Sequence, residues 1–417
     1  MSEAGSQARR GHGGPRDRVV EAASEEVLAS AAELLELAHP VRVESWISGL
    51  ISTWRAMSVA DAEPEALLGG GLVRAARADG GPAAMAVLLG LAAVAPAAVA
   101  EPAADAVAAL RSRGVAEPCW AASVGRARCT SAWRSGDLYG DQHMVVVGFA
   151  YPDGGEHSLG VLVDHNHGEV ARDAFVAGPP AEVTAICREH LADGQAMACE
   201  ALDATTAGEQ LRTALTATDR DDHAPVSDDF AATRALAWAR ATTLPHAPRA
   251  TAPAVDRDAL IADFLAAPER DALASDATTA FIAGCLVDFR CEAGDGLPLR
   301  WSPTQVALCL LDWFPHHVTA DRATVAWVPA VLEAWVAYAG RRTGLAADHV
   351  ETACAEVRYL EGAFFDAVEG IAQLGPPTPS AGLGQSPAAV SVPAVEPVGF
   401  AAVYRERLRA GAQSGAS

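Results

Sequence analysis

Three histidines and an aspartate that could carry chemistry lie at the two ends of one short segment, residues 141–167. The segment alternates apolar and polar residues up to Tyr151, crosses a glycine-containing stretch at 152–156, and alternates again from His157. Two such runs joined by a short glycine-containing loop predict an antiparallel β-hairpin. The chemistry available to the group therefore depends on how the two strands align.

The apolar residues of the two runs indicate the alignment, because a slip of one position sends every side chain of a strand to the opposite face. The favoured alignment opposes Tyr151 to His157. It pairs apolar residues along one face, namely Val145 with Val163, Val147 with Val161, and Phe149 with Leu159. A slip of one residue would pair Val147 with Gly160 and bury less apolar surface.

This alignment carries the polar residues to a shared corner at the open end of the hairpin. It opposes His143 to His165 and Asp141 to His167. Cross-strand neighbours have Cβ atoms about 5 Å apart, so these four residues form a candidate metal site. Imidazole and carboxylate donors with one position left open suit a catalytic zinc or iron ion.

Asp164 and Asn166 point to the other face in this alignment and are candidate ligand-binding residues. Asn166 is the only asparagine in the sequence, which indicates a local requirement. It could instead form a turn with Gly168, because asparagine tolerates left-handed backbone geometry. The whole polar group could also sit at a solvated hairpin end, hydrogen-bonded to backbone or to Glu169 and Asp173. The sequence leaves these alternatives open.

The elements that position this group belong to a small α+β domain between two helical regions. Apolar residues recur at helical spacing in both flanking regions, whereas the convincing strands are confined to the middle. The glycine run at 69–71 predicts a break between two helices, and 83–95 predicts a buried core helix. The expected fold class is mainly α, with a small α+β middle domain built on a β-hairpin and helical N- and C-terminal regions.

The composition shifts predict the boundaries of these regions. They are a disordered tail at 1–24, a helical domain at 25–124, an α+β domain at 125–240 with the hairpin at 141–167, a linker at 241–255, a helical domain at 256–372 and a mostly disordered tail at 373–417.

The composition excludes several classes of function. The chain has 417 residues and a formal net charge of −22, and every strong base in it is arginine. Without lysine, Schiff-base chemistry, pyridoxal-phosphate chemistry and a phosphate-binding loop ending in Gly-Lys-Ser/Thr are excluded. The acidic balance also argues against a nucleic-acid partner, because affinity for nucleic acid comes largely from cations that displace counterions.

Cysteine spacing and hydropathy indicate the compartment. None of the eight cysteines is separated from another by only two residues, as zinc ribbons and redox sites require. Residues 1–18 contain no apolar stretch that could serve as a signal peptide. The uncharged stretch at 83–100 is rich in alanine and interrupted by Pro96, which disfavours a membrane span. We expect a cytoplasmic protein with reduced thiols and no membrane segment.

Two stretches of the sequence resemble uncharacterised proteins of high-GC actinobacteria. The first combines residues 139–143, 149–154, 163–166 and 171–175, and the second combines residues 311–315, 331–335 and 339–344. The resemblance spans most of residues 25–370. It implies no assigned activity and no role for any residue.

These observations favour an intracellular module that binds a protein partner or a small molecule, with a regulatory role. The alternative is a metal-dependent hydrolase or oxygenase that uses the histidine group, with Asp141 as a ligand or as a supporting carboxylate. The sequence leaves open whether the protein is an enzyme, what it binds and how it oligomerises.

Overall fold

The computed structural model describes residues 15–57, 63–166, 168–192, 197–221, 223–246, 255–292 and 296–374. In these ranges, helices at both ends flank a five-stranded antiparallel sheet. This architecture confirms the predicted fold class. None of the helices described is long and apolar enough to cross a membrane.

A helical bundle forms the N-terminal region. Its elements are α1 (Pro15–Ser30), a 3-10 helix (Ala31–Glu36), α2 (Pro40–Arg55), α3 (Pro64–Asp79), α4 (Pro82–Val94) and α5 (Ala97–Ser112). Proline is the first residue of α2, α3 and α4. The first N–H groups of a helix have no partner within the helix, so the N–H that proline lacks costs no hydrogen bond there. Nine of the 13 residues of α4 are buried, including all of 84–91, which confirms the predicted core helix.

Two details of this region differ from the prediction. The glycine run at 69–71 does not break the chain, because α3 continues through it. These glycines permit close helix packing instead: a Cβ at Gly69 would lie 2.7 Å from Val99 Cγ2 of α5. In addition, α1 begins at Pro15, within the segment predicted as a tail.

The middle region is a sheet in which the first four strands form a meander and the fifth strand pairs with the first. The strands are β1 (Arg128–Asp137), β2 (Gln142–Ala150), β3 (Glu156–Asp164), β4 (Val170–Ala177) and β5 (Met197–Ala201). Their order across the sheet is β4-β3-β2-β1-β5. Apolar residues of α7 (Ala204–Arg220) and α8 (Asp228–Thr243) cover one face, and α6 (Pro180–Ala192) covers the other.

The predicted hairpin is β2–β3, but its predicted register is wrong by two residues. The structure pairs Val145 with Val161, Val147 with Leu159, and Phe149 with His157. The loop occupies residues 151–155 because the Tyr151 N–H donates to the Gly155 carbonyl (2.8 Å) and Gly154 adopts a left-handed φ of 89°. A shift of two keeps each side chain on its face, so the buried face contains the expected residues.

The C-terminal region is helical. It contains α9 (Arg257–Leu265), a 3-10 helix (Pro268–Arg270), α10 (Asp276–Glu292), α11 (Pro303–Ala307), a π-helix (Leu308–Trp313), α12 (Phe314–His317), α13 (Arg322–Val325), α14 (Val328–Thr343) and α15 (Ala347–Leu374). α14 and α15 pack against each other as a helical hairpin, and Gly344 (φ 74°) ends α14. Of the predicted linker, 247–254 lies outside the described residues, as does the predicted tail from 375 onward.

Candidate functional site

The open end of the hairpin brings two of the predicted residues into direct contact. His165 Nε2 lies 2.9 Å from His143 Nδ1, and the ring centroids are 4.9 Å apart. In the observed register His143 faces Val163, so His165 reaches His143 diagonally. Aromatic side chains can reach a diagonal neighbour on the adjacent strand. The predicted contact between His143 and His165 therefore forms, although the predicted register is wrong by two residues.

The histidine pair is largely shielded from solvent. Burial, together with the neighbouring His165 and Arg134, lowers the pKa of His143 to about 3, against a smaller opposing effect of Gln210. His143 is therefore neutral at physiological pH. The other ring nitrogen of His165, Nδ1, lies 3.9 Å from a carboxylate oxygen of Glu169.

Asp141 is held by a distant arginine. Arg300 donates a hydrogen bond to the Asp141 carboxylate and, at 3.5 Å, another to the backbone carbonyl of His165. The Asp141 carbonyl accepts a 2.9 Å hydrogen bond from the His165 N–H. Burial raises the pKa of Asp141, whereas Arg300 opposes that rise.

The fourth predicted metal ligand, His167, lies outside the described residues. Within the part of the chain that is described, no group of three or more His, Cys, Asp or Glu side chains is arranged to hold a metal ion. His165 instead contacts His143 through one ring nitrogen of each residue, and the Asp141 carboxylate is paired with Arg300.

Asp164 organises the turn between β3 and β4. Its side chain is fully buried and accepts hydrogen bonds from Gln142 Nε2 (2.8 Å), from Arg172 Nη1 (3.1 Å) and from the Asn166 N–H (2.8 Å). The last bond makes residues 164–166 an Asx turn, a local structure typical of this residue pair. Asp164 thus stabilises the turn that contains His165 and Asn166.

Asn166 connects the sheet to the C-terminal region. Its amide oxygen accepts a hydrogen bond from Gln305 Nε2, and the Gln305 oxygen accepts one from the buried Arg290. A second contact lies nearby, where the Tyr139 hydroxyl donates to the His349 carbonyl at 3.0 Å. The open end of the hairpin is therefore a junction between regions rather than a free corner.

A cavity of about 300 Å³ opens at this junction and is called the hairpin-end cavity below. The side chains that matter for its chemistry are Arg134, Asp137, His143, His165, Leu297 and Arg300. Four of them come from the sheet and its turn, and Leu297 and Arg300 come from the loop after α10. Sequence reasoning missed both arginines, because Arg300 sits in a loop without periodic pattern and Arg134 resembles any other strand residue.

The turn between β1 and β2 forms one wall of this cavity, and the turn between β3 and β4 contains an unusual backbone conformation. The Asp137 carboxylate accepts hydrogen bonds from the N–H groups of Tyr139 (2.8 Å), Asp141 (3.2 Å) and Gln142 (2.7 Å) and so closes the turn between β1 and β2. Glu169 is the one non-glycine residue with positive φ (59°) among those described. Such left-handed conformations store about 1–3 kcal/mol and concentrate at functional sites.

A second polar cluster, called the buried polar cluster below, lies at the other end of the hairpin. It consists of Glu44, Tyr151, His157 and Arg240, each at most 5% exposed. Arg240 donates to Glu44, to the Tyr151 hydroxyl (2.7 Å) and to His157 Nε2 (3.1 Å). Because the cluster is sealed and joins α2, α8 and the hairpin, it serves as a structural connection.

Comparison with protein-family models, with curated protein sequences and with solved structures gave no match.

Proposed function

We propose that this chain is a small-molecule-binding regulatory module whose ligand occupies the hairpin-end cavity. The observation that carries the proposal is a cavity of about 300 Å³, lined both by the sheet and by the loop after α10. Ligand sites favour such boundaries between structural units, and they combine a few placed polar groups with apolar wall.

The polar groups of the cavity are held before any ligand arrives, which also supports the proposal. His143 is fixed by His165, and Asp137 by three backbone N–H groups. Groups that are already ordered lose little conformational entropy on binding, so more of the interaction energy becomes affinity.

The size of the cavity favours a small metabolite. Ligand pockets range from about 300 to 1,000 Å³, so this cavity lies at the lower end of that range. A peptide would have to lie on the surface, whereas a compact polar molecule fits between Arg300 and the histidine pair.

The position of the cavity supports a regulatory role. A ligand there contacts the sheet through His165 and the C-terminal region through Arg300 and Leu297. A ligand that binds better when the two regions are docked shifts their equilibrium towards docking.

The hydrolase or oxygenase alternative requires at least three metal donors. No contact in the described residues favours it over ligand binding, because His143 and His165 are hydrogen-bonded to each other and Asp141 is paired with Arg300. Metal analysis of tag-free protein decides this point. Near-stoichiometric zinc or iron that disappears in His165→Ala would support the alternative.

The cavity can be blocked without altering its polar groups. Leu297 is 55% exposed on the cavity wall, so Leu297→Trp should fill the space. Phe281→Trp is the matched control, because Phe281 is 45% exposed on α10 and does not line the cavity. Wild type and both variants are screened against a library of small polar metabolites by thermal shift, and hits are verified by native mass spectrometry.

A ligand at 100 times its dissociation constant stabilises the folded protein by about 2.7 kcal/mol. We expect at least one compound to raise the Tm of wild type and of Phe281→Trp but not of Leu297→Trp. Compounds that raise the Tm of all three proteins equally would contradict the proposal, and so would the absence of any hit.

A further inference from the structure

The hairpin-end cavity presents more hydrogen-bond donors than acceptors. Arg134 and Arg300 both line it, and a guanidinium carries five N–H donors and no acceptor. The first acidic residue on the wall, Asp137, already accepts three backbone hydrogen bonds. It therefore has little capacity left for a ligand that donates.

The second acidic residue on the wall, Glu200, lies at the rim and pairs with Arg134. Both side chains are largely solvated, with 54% of Glu200 and 41% of Arg134 exposed. Exposed ion pairs of this kind contribute about 0–1 kcal/mol, so Glu200 restrains Arg134 only weakly. Arg134 can turn towards a bound anion at small cost.

Arg300 lies deeper and is only 11% exposed. The carboxylate paired with it, that of Asp141, is 14% exposed, so this pair is much better shielded than the pair at the rim. Hydrogen bonds between guanidinium and carboxylate are among the strongest in proteins. Asp141 pairs with Arg300. A carboxylate or phosphate ligand in the cavity would make the same kind of contact with Arg300.

We infer that the ligand of the hairpin-end cavity is a small oxyanion, a carboxylate or a phosphate, that binds Arg300 in competition with Asp141 and contacts Arg134 at the rim. This inference rests on the proposed function and names its ligand class. Because the guanidinium fork can donate two parallel hydrogen bonds to two oxygens of a carboxylate or a phosphate, recognition depends on the charged group and not on the rest of the ligand.

If Asp141 and the ligand compete for Arg300, substitution of Asp141 should have a different effect from the one expected of a purely structural residue. Asp141→Asn removes the internal anion but keeps the shape and one amide oxygen for Arg300. The variant should therefore bind oxyanions more tightly than wild type. If Asp141 only held the site together, the same variant would bind them more weakly.

The test is calorimetric titration of the full-length chain with three probes, inorganic phosphate, acetate and succinate, so that phosphate and carboxylate ligands are distinguished. We expect binding of at least one probe to wild type. Arg300→Gln should weaken it at least tenfold, and Asp141→Asn should strengthen it three- to tenfold. Arg257→Gln is the control, because Arg257 forms an exposed pair with Asp288 and does not line the cavity.

Circular dichroism verifies that each variant is folded. If Arg300→Gln does not fold, Arg134→Gln replaces it, because that side chain lies at the solvated rim, and it should weaken binding about threefold. Weaker binding by Asp141→Asn would overturn the competition, and no binding by any probe would overturn the ligand class. The proposed function would still stand if a neutral metabolite stabilised wild type and failed on Leu297→Trp.

Discussion

His143 and His157 of the hairpin are buried as neutral rings. His143 lies against His165 and near Gln210, whereas His157 stacks on Phe149 and Tyr151 with ring centroids 5.4 and 5.1 Å away. Among the described residues, no carboxylate favours the charged form of either ring. Both residues therefore make folding sensitive to pH.

We expect the free energy of unfolding to fall as the pH is lowered from about 6.5 towards 3. Burial lowers the pKa of both His143 and His157 to about 3, whereas an unfolded histidine titrates near 6.5. In that window the unfolded chain takes up protons that the folded protein excludes. Each histidine adds a slope of about 1.4 kcal/mol per pH unit.

Urea unfolding between pH 7.5 and 4.5 measures this slope in wild type and in His143→Gln. The variant should show a slope about 1.4 kcal/mol per pH unit smaller. An unchanged slope would mean that His143 titrates normally in the folded protein.

The contact between His143 and His165 was predictable from the sequence, because alternation fixed the face on which both rings lie. Their other partners were not predictable. Arg300 lies 159 residues from Asp141, and Gln305 lies 139 residues from Asn166. Pairings between a strand end and a distant loop leave no periodic signal in a single sequence. The sequence therefore did not reveal that Arg300 pairs with Asp141, one of the predicted metal ligands.

The hairpin shows what the alternation of apolar and polar residues can predict about a pair of strands. Alternation distinguishes the two faces but not registers that differ by two, because both place Val145, Val147 and Phe149 on the buried face. The turn decides between them. Tyr151 leaves the ladder and points its hydroxyl at the buried Glu44, a partner that local sequence does not reveal.

The outer face of the sheet depends on a close approach of α6. Gly148 lies between Ser131 and Ser158 in the ladder, and a Cβ at Gly148 would lie 2.5 Å from Pro180 Cγ. Gly148→Ala should therefore destabilise the protein by about 1–3 kcal/mol through overpacking.

Gly362 in α15 provides the matched control, because a Cβ there would meet no atom within 4 Å. Gly362→Ala should stabilise the helix by about 0.5–1 kcal/mol. Urea denaturation compares the two variants with wild type. Equal effects of the two substitutions would show that α6 does not pack against Gly148.

At the scale of the whole molecule, polar contacts at both ends of one hairpin join three regions. The buried polar cluster connects the N-terminal bundle to the sheet, and the contacts around Asn166 connect the sheet to the C-terminal helices. Apolar cores alone would leave the angle between regions loosely specified, whereas hydrogen bonds require one arrangement.

The first junction depends on the pairing of two buried charges. Arg240→Met leaves Glu44 buried without its cation, and we expect a loss of about 3–5 kcal/mol. The double variant Glu44→Gln/Arg240→Met should recover much of that loss. Chemical denaturation of both variants tests this expectation, and a double variant as unstable as the single one would contradict it.

The second junction predicts coupling between two residues that are distant in the sequence. Asn166→Ala and Gln305→Ala should each destabilise the protein, and their effects should be non-additive by about 0.5–3 kcal/mol, the range seen for residues in contact. A double-mutant cycle measured by urea unfolding gives this coupling energy. Strict additivity would mean that the two side chains do not meet in solution.

The proposed ligand site is the space between Arg300 and the histidine pair. A crystal structure of the protein soaked with inorganic phosphate or succinate will show whether an anion enters this space. We expect an anion beside Arg300, with Asp141 turned away from the guanidinium and Arg134 reaching in from the rim. Crystals in which the anion binds elsewhere, while Arg300 stays paired with Asp141 around an unoccupied cavity, would contradict it.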